Sequence, residues 1–321
     1  MTVLLVGLGA GLVSALLFAV VVTGSALAVG LSLVAPLPIF IAALGWSHRA
    51  GLVAVAAGGV ATALAFRPAA GMAFGLGWAL PAWWLAFLAL LGRPGAEGAL
   101  EWYPLGRVLL WLAATAALIT VFAVVALGSG DYGSYRDAMR EALEAFLRID
   151  GGSPQSSPLP TPPGLSTTEI LNGFIAAFPA FLSSSFALIL ALNLWLAARI
   201  VAISGRLSRP WPFIPETAMP RAALFALGGG VAAAFLPGFV GAAGLAVIGS
   251  LGVAFALQGL ALMHDLSRGR SGRGLLLGSA YAFALFLSQI ALPVLALAGI
   301  ADSALGLRDR RKPRIRRRPD P

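Results

Sequence analysis

The stretch VLLVGLGAGLVSALLFAVVVT, residues 3–23, contains no charged side chain and is almost entirely apolar. A bilayer with a hydrocarbon core about 30 Å thick requires roughly 20 apolar residues for one helical crossing. The stretch also exceeds the roughly 7–15 apolar residues of a cleavable signal peptide, and no basic segment precedes it. We therefore expect residues 3–23 to form the first transmembrane helix and to remain in the mature protein.

Eight further apolar runs follow the first one. They cover residues 27–46, 50–66, 70–91, 106–127, 170–203, 221–236, 239–264 and 274–300. None shows the period-two alternation of transmembrane barrel strands. Of all 321 residues, 59% are hydrophobic and 11% are charged, whereas a soluble domain carries about 25% charged residues. The sequence thus predicts an all-α, polytopic transmembrane helical bundle and excludes a soluble globular or disordered protein.

The number of crossings depends on the last runs. Cytoplasmic loops are rich in arginine, and an N-terminus inside the cell assigns ten arginines to inner loops and four to outer loops. Nine crossings would then put the basic C-terminal tail outside. A break at Pro293, or a failure of 221–236 to cross, would return the tail to the inside. We favour an inside N-terminus and an inside tail, with eight and nine crossings both open.

One polar connection divides the chain. Residues 132–149 place apolar side chains on one helical face and charged side chains on the other, which is typical of an amphipathic helix in the membrane interface. A proline-rich loop follows it. We therefore divide the chain into an N-terminal transmembrane bundle (1–127), the amphipathic helix with its proline-rich loop (128–169), a C-terminal transmembrane bundle (170–300) and a basic tail (301–321).

Glycines recur at helical spacing in several apolar runs. Gly7 and Gly11 are four residues apart, as are Gly71 and Gly75, and Gly228 begins a run of three glycines. Such spacing puts small residues on one helix face and lets a second backbone approach closely. We expect these glycines to pack helices together.

Polar side chains inside apolar helices are the default candidates for a binding site, because they are costly to bury there. Asn193, Gln258 and Gln289 lie within three late helices. The simpler interpretation is that their amides form hydrogen bonds between helices. The alternative is a polar cavity, lined by these three amides, that binds a small solute.

Two basic segments are candidates for contacts outside the bundle. The loop after the sixth run contains Arg206, Arg209 and Trp211, which we assign to a coupling or partner-docking surface. The tail is assigned to the binding of anionic lipid headgroups. The tail residues in question are Arg310, Arg311, Lys312, Arg314, Arg316, Arg317 and Arg318. No aromatic residue is interleaved with them, so nothing favours sequence-specific nucleic-acid binding.

Catalytic chemistry has little support in the sequence. Cysteine is absent, the only histidines are His48 and His264, and the only lysine is Lys312. No metalloprotease, nucleophile-elbow or phosphate-loop motif is present. We expect no catalytic residue, no metal site, no cofactor and no enzymatic activity.

The C-terminal half resembles a known family. The relevant segments are NLWLAARIV from Asn193, SGRLSRPWP from Ser204, LPG from Leu236, LQGLA from Leu257, GRSGR from Gly269 and ADS from Ala301. Together they resemble the YybS-like family of bacterial integral membrane proteins in its alphaproteobacterial form. That family has no known function. It is considered similar in fold to the substrate-binding membrane subunits of energy-coupling-factor transporters and to the cell-shape protein MreD. The resemblance implies a multi-pass protein of the bacterial inner membrane and supplies no catalytic residue.

These observations lead to two functional hypotheses. In the first, the chain is a non-catalytic, transport-type membrane protein that binds a small solute among its C-terminal helices. In the second, it is a membrane scaffold that docks a cytoplasmic protein partner through the 204–221 loop and the basic tail.

Overall fold

The computed structural model describes residues 1–95, 99–151 and 166–308. Within these ranges the chain forms helices α1 (Thr2–Ala19), α2 (Ala26–Leu33), α3 (Leu37–Gly45), α4 (His48–Ala65), α5 (Pro68–Phe74), α6 (Leu80–Ala89), α7 (Leu105–Leu127), α8 (Tyr132–Gly151), α9 (Thr167–Ile203), α10 (Ala222–Ala234), α11 (Gly238–Leu266), α12 (Arg273–Phe286) and α13 (Ser288–Leu305). A π-helical turn, Gly75–Ala79, joins α5 to α6. The short strands β1 (Gly92–Pro94) and β2 (Leu100–Trp102) form an antiparallel hairpin.

The helical membrane class is confirmed. Among the described residues, seven helical segments are long and apolar enough to cross a membrane: Thr2–Thr23, Ala26–Gly45, His48–Ala65, Pro68–Ala89, Leu105–Leu127, Thr167–Ile203 and Gly238–Leu266. Shorter apolar helices occupy Ala222–Ala234, Arg273–Phe286 and Ile290–Leu305. The seven long segments coincide with seven of the nine apolar runs. A total of eight or nine crossings stays a prediction, because it depends on the shorter helices.

The break in the last apolar run lies at Leu287 and not at Pro293, which is a correction to the sequence interpretation. Leu287 has φ −125° and ψ 43°, outside the helical region, and Pro293 lies inside α13. A proline ring clashes with the carbonyl four residues before it. That carbonyl belongs to residue 289, in the first turn of α13. A helix that begins at Ser288 therefore has few preceding hydrogen bonds for Pro293 to disrupt.

The chain folds into two compact units. Unit 1 comprises Met1–Leu112, Leu190–Phe225 and Gly252–Pro321. Unit 2 comprises Ala113–Ile189 and Ala226–Leu251. The long helices α7, α9 and α11 each contribute to both units.

In unit 1, glycines bring α1 and α4 into backbone contact. A Cβ atom added at Gly11 would collide with the Ala54 carbonyl oxygen and the Gly58 nitrogen. One added at Gly7 would lie 2.7 Å from the Ala50 carbonyl oxygen. The predicted packing role of this glycine pair is therefore confirmed. In the second pair, Gly71 packs tightly, whereas Gly75 has no neighbour within 4 Å.

Also in unit 1, Pro36 separates α2 from α3, and side chains of other helices satisfy carbonyls at the break. The Ser14 hydroxyl of α1 donates to the Ala35 carbonyl. The Asn193 Nδ2 of α9 donates to the Leu33 carbonyl at 2.9 Å. Broken helices are tolerated at membrane depth where neighbouring groups re-satisfy the freed backbone. Asn193 thus forms the hydrogen bond to another helix that the simpler interpretation of the sequence predicts.

Unit 2 contains the predicted amphipathic helix, which is confirmed as α8. Asp131 precedes its first turn and accepts a hydrogen bond from the Ser134 backbone N–H at 2.7 Å. This bond lowers the pKa of the Asp131 carboxyl. The apolar face packs within the unit, where Tyr135 and Met139 are buried against Val124 and Ile175. Its position in a membrane interface stays a prediction.

Close packing of α1 on α4 predicts different outcomes for two neighbouring glycines. Gly11→Ala forces a methyl group into the α4 backbone and should lower the free energy of unfolding by about 1–3 kcal/mol. Gly9→Ala is the matched control, because no atom lies within 4 Å of its added Cβ. Thermal unfolding of both variants in detergent checks this, and equal melting temperatures would contradict the packing.

Candidate functional site at the ends of α11 and α13

Two glycines in unit 1 bring the backbones of α11 and α13 into contact. A Cβ at Gly259 would overlap the Leu295 carbonyl, and one at Gly299 would overlap the Phe255 carbonyl. Neither position can hold a larger residue without moving a helix. Gln258 is adjacent to the first glycine, and Asp302 follows the second by about one helical turn. The glycine contact therefore places these two polar side chains together.

The Gln258 side chain joins three segments of unit 1. It is fully buried. Its Oε1 accepts hydrogen bonds from the backbone N–H of Met219 at 2.9 Å and from the Ser303 hydroxyl at 3.1 Å. Its Nε2 donates to Asp302 Oδ2 at 2.7 Å. Because the N–H of Met219 can only donate and an ionised carboxylate can only accept, one orientation of the amide satisfies both partners.

The Asp302 carboxylate is balanced by the guanidinium of Arg308. Arg308 Nη2 lies 2.9 Å from Asp302 Oδ2, and the two side chains are 11% and 4% exposed, respectively. Arg308 Nη1 donates to the Pro215 carbonyl at 2.7 Å. The 204–221 loop thus forms hydrogen bonds with α11 at Met219 and, at Pro215, with Arg308, the third residue after α13. We call Gln258, Asp302, Ser303 and Arg308, with the backbones of Pro215 and Met219, the Gln258 cluster.

The 204–221 loop is also held down elsewhere in unit 1. A Cβ at Gly106, at the start of α7, would overlap the Ala218 carbonyl, so the loop backbone lies directly on that helix. Arg209 Nη1 donates to the carbonyls of Ala89 and Tyr103, both at 3.0 Å. Burial lowers the pKa of the Arg209 guanidinium below its usual value. Arg209 therefore acts as an internal anchor of the loop and not as an outward-facing residue.

Arginines stack on aromatic rings around the same loop. The Arg206 guanidinium carbon lies 4.6 Å from the centre of the Trp46 ring. That of Arg199 lies 5.2 Å from the centre of the Trp211 ring. Trp211 itself stays 38% exposed. Of the three loop residues that the sequence singled out, Trp211 is thus the one that presents a large apolar surface outward.

The structure gives the predicted amides different surroundings. Gln258 lies in the Gln258 cluster, whereas Asn193 donates to the Leu33 carbonyl at the α2–α3 break. Gln289 lies in the first turn of α13, and its side chain falls outside the described residues. The tail residues predicted to bind lipids, from Arg310 onward, also lie outside the described residues. The cavity lined by three amides stays a prediction.

The sequence did not predict the ion pair between Asp302 and Arg308. Asp302 and Arg308 follow the last apolar run, 274–300, and charged residues are usual where a membrane segment ends. One sequence pattern could have predicted that Gln258 and Asp302 lie close together. Gly259 is next to Gln258, Gly299 is one turn before Asp302, and mid-helix glycines beside polar residues indicate that two helices cross closely. Thr217 was also missed. Its hydroxyl is buried and has no hydrogen-bond partner in the part of the chain that the structure describes.

The polar groups of the cluster bind one another. Its carboxylate is paired with a guanidinium, and its amide oxygen already accepts two hydrogen bonds. Among the described residues, no three histidine, aspartate or glutamate side chains are grouped so that they could hold a metal ion. The arrangement can hold the loop and the chain after α13 in a fixed position.

A comparison with protein families gives a match over most of the chain. The family described as "predicted membrane protein (DUF2232)" matches residues 12–303. The chain belongs to this family. Comparisons with curated proteins and with solved structures give no match. Members of this DUF2232 family are thus described as membrane proteins, in agreement with the helical bundle.

The family match also divides the Gln258 cluster. Gln258, Asp302 and Ser303 lie within the matched residues 12–303. Arg308 lies beyond them, at the beginning of the basic tail. The part of the cluster that fastens the tail is therefore outside the region that defines the DUF2232 match.

The ion pair in this cluster predicts strong coupling between two substitutions. Asp302→Asn leaves the buried Arg308 guanidinium without its counter-charge and should lower the free energy of unfolding by about 3–5 kcal/mol. Arg308→Gln added to Asp302→Asn should cost little more. A double-mutant cycle measured by thermal unfolding checks this.

The exposed ion pair of the hairpin provides the control for that cycle. Arg93 and Glu101 are 2.8 Å apart, with side chains 81% and 53% exposed. Breaking such a pair costs about 0–1 kcal/mol. Equal losses for Glu101→Gln and Asp302→Asn, or additive losses within the cycle, would contradict the buried pairing.

Proposed function

We propose that this chain is a non-catalytic membrane scaffold that docks a protein partner through the 204–221 loop and the basic tail. The observation that carries the proposal is the bond from Arg308 to the Pro215 carbonyl at 2.7 Å. It joins Arg308, the last described residue and part of the basic tail, to the middle of the loop. We infer from this bond that the loop and the basic tail act as one docking surface.

The composition of this surface supports a partner with an acidic face. The exposed arginines of the loop are Arg206 and Arg221, against the single acidic residue Glu216. The tail adds seven basic residues between positions 310 and 318. Charge complementarity of this kind raises association rates and selects among partners.

We further infer a bacterial inner-membrane location, with this surface on the cytoplasmic side. The inference rests on the concentration of arginine in the loops at this end of unit 1 and on the resemblance to the YybS-like family. That family is in turn considered similar in fold to the membrane subunits of energy-coupling-factor transporters. Such a subunit docks to other membrane or cytoplasmic subunits, so docking would be the property that this chain shares with them. It supports a transport-type role only by analogy of fold.

Photo-cross-linking in cells tests the scaffold. A cross-linking amino acid at Glu216, which is exposed beside Pro215, should capture a partner. Replacement of the seven basic tail residues by serine should reduce that cross-link at least fivefold, because loop and tail form one surface. The same cross-linker at Arg67, an exposed residue between α4 and α5, is the control.

A cross-link at position 216 that is unaffected by the tail replacement would contradict the joint surface. Absence of a specific cross-link at 216 relative to 67 would contradict docking through the loop. Western blotting of the membrane fraction for each variant confirms equal amounts of protein.

The solute-binding function is favoured by one observation, the unsatisfied hydroxyl of Thr217. This residue is buried in the loop between Pro215 and Met219, both of which belong to the Gln258 cluster. A buried hydroxyl without a partner costs free energy. A small polar solute that accepts a hydrogen bond beside the Gln258 cluster would compensate for that cost.

Thr217→Val separates this second function from the first. The substitution removes the unsatisfied hydroxyl at nearly constant volume, so the unliganded protein should be equally or more stable, by up to about 1–2 kcal/mol. Thermal-shift screening against vitamins, nucleobases and headgroup analogues should show stabilisation of the wild type that Thr217→Val abolishes. A shift retained in full by the variant, or no shift with any compound, would contradict the solute site.

A further inference from the structure

Two arginines in unit 1 lie at the ends of membrane-spanning helices with their guanidinium groups stacked on aromatic rings. Arg199 lies in the last turns of α9, and Arg268 follows the end of α11 by two residues. The Arg268 guanidinium carbon is 4.0 Å from the centre of the Phe213 ring, and that of Arg199 is 5.2 Å from the centre of the Trp211 ring. Both rings belong to the 204–221 loop.

Stacking leaves the hydrogen-bonding edges of these guanidinium groups available. An aromatic ring contacts the flat face of an arginine, whereas its N–H groups point outward in the plane and match a phosphate in bidentate fashion. Arg268 Nε lies 3.6 Å from Asp265 Oδ1, which is a loose ion pair. In the ranges that the structure describes, neither guanidinium donates a hydrogen bond to protein. Both arginines are exposed.

The surface around the two arginines is apolar as well as basic. Trp211 is 38% exposed and Phe213 is 48% exposed. Trp195, one helical turn before Arg199 on α9, is exposed too. Tryptophan at the end of a membrane-spanning helix is characteristic of the level of the lipid headgroups. The exposed rings of Trp211 and Phe213 lie beside guanidinium N–H groups that donate no hydrogen bond to the described protein. This combination therefore fits a molecule with a phosphate and an apolar portion.

We propose that Arg199 and Arg268, stacked on Trp211 and Phe213, bind the phosphate of an anionic phospholipid in the adjacent leaflet. The guanidinium edges bind the phosphate, and the two rings contact the glycerol and the upper acyl chains. The site is independent of the basic tail and of any protein partner. It fixes the 204–221 loop against the membrane surface.

Lipid retention in native mass spectrometry tests the site in the full-length chain. Wild-type protein in detergent is incubated with phosphatidylglycerol or with phosphatidylcholine, and the bound lipids are counted. We expect preferential retention of phosphatidylglycerol, reduced at least threefold in Arg199→Gln/Arg268→Gln. The control Arg67→Gln/Arg136→Gln removes two exposed arginines, one between α4 and α5 and one on α8, and should retain the wild-type amount, with the tail unchanged throughout.

A lysine variant separates a shaped site from simple charge attraction. Arg199→Lys/Arg268→Lys keeps both charges and loses the planar stacking and the bidentate edge. Retention should fall in this variant to near that of the glutamine variant. Excess inorganic phosphate should leave lipid retention unchanged, because the apolar contacts require a lipid.

Three outcomes would overturn the proposal. They are wild-type retention in the glutamine or the lysine variant, an equal loss in the Arg67→Gln/Arg136→Gln control, and full displacement of lipid by inorganic phosphate. Size-exclusion profiles and melting temperatures measured without added lipid show that each variant is folded. Loss of the partner cross-link at Glu216 would not affect this result, so the two proposals fail separately.

Discussion

A primary amide that is fully buried between apolar helices must find hydrogen-bond partners within the protein, and Gln258 finds them on two other segments, the 204–221 loop and α13. Its oxygen accepts hydrogen bonds from the Met219 backbone N–H and the Ser303 hydroxyl, and its nitrogen donates to the Asp302 carboxylate. An unsatisfied amide in this environment would cost several kcal/mol. The position of the 204–221 loop, and that of the chain after α13, both depend on this requirement.

Glycine makes that junction possible and arginine extends it outward. Gly259 and Gly299 allow two helix backbones to touch, which brings Asp302 to Gln258. The Asp302 charge then requires Arg308, whose remaining donor reaches Pro215. The glycine contact between α11 and α13 thereby determines where the basic 204–221 loop lies. A fixed loop joined to a basic tail is what a docking scaffold needs.

The sequence predicted the helical membrane class because uninterrupted apolar runs have one structural solution in a bilayer. It also predicted Gly11 as a packing residue and Gln258 as a buried polar residue. It suggested a break at Pro293 as one of two alternatives, because proline is a local signal, whereas the break at Leu287 has no local signal. The partners of Gln258 are 39 to 45 residues away along the chain. Their pairing depends on how helices cross, which hydropathy does not encode.

Hydrogen exchange at the 214–221 segment is the most direct measurement of the junction. In the part of the chain that the structure describes, the Met219 amide lies outside the short 3₁₀ helix Ile214–Glu216 and donates to the Gln258 side chain, so this amide should exchange slowly in the wild type. In Gln258→Leu, exchange at this segment should accelerate at least tenfold, which corresponds to about 1.4 kcal/mol, while the exchange of α1 and α4 stays unchanged. Fast exchange of 214–221 in the wild type, or equal rates in the two proteins, would contradict the account.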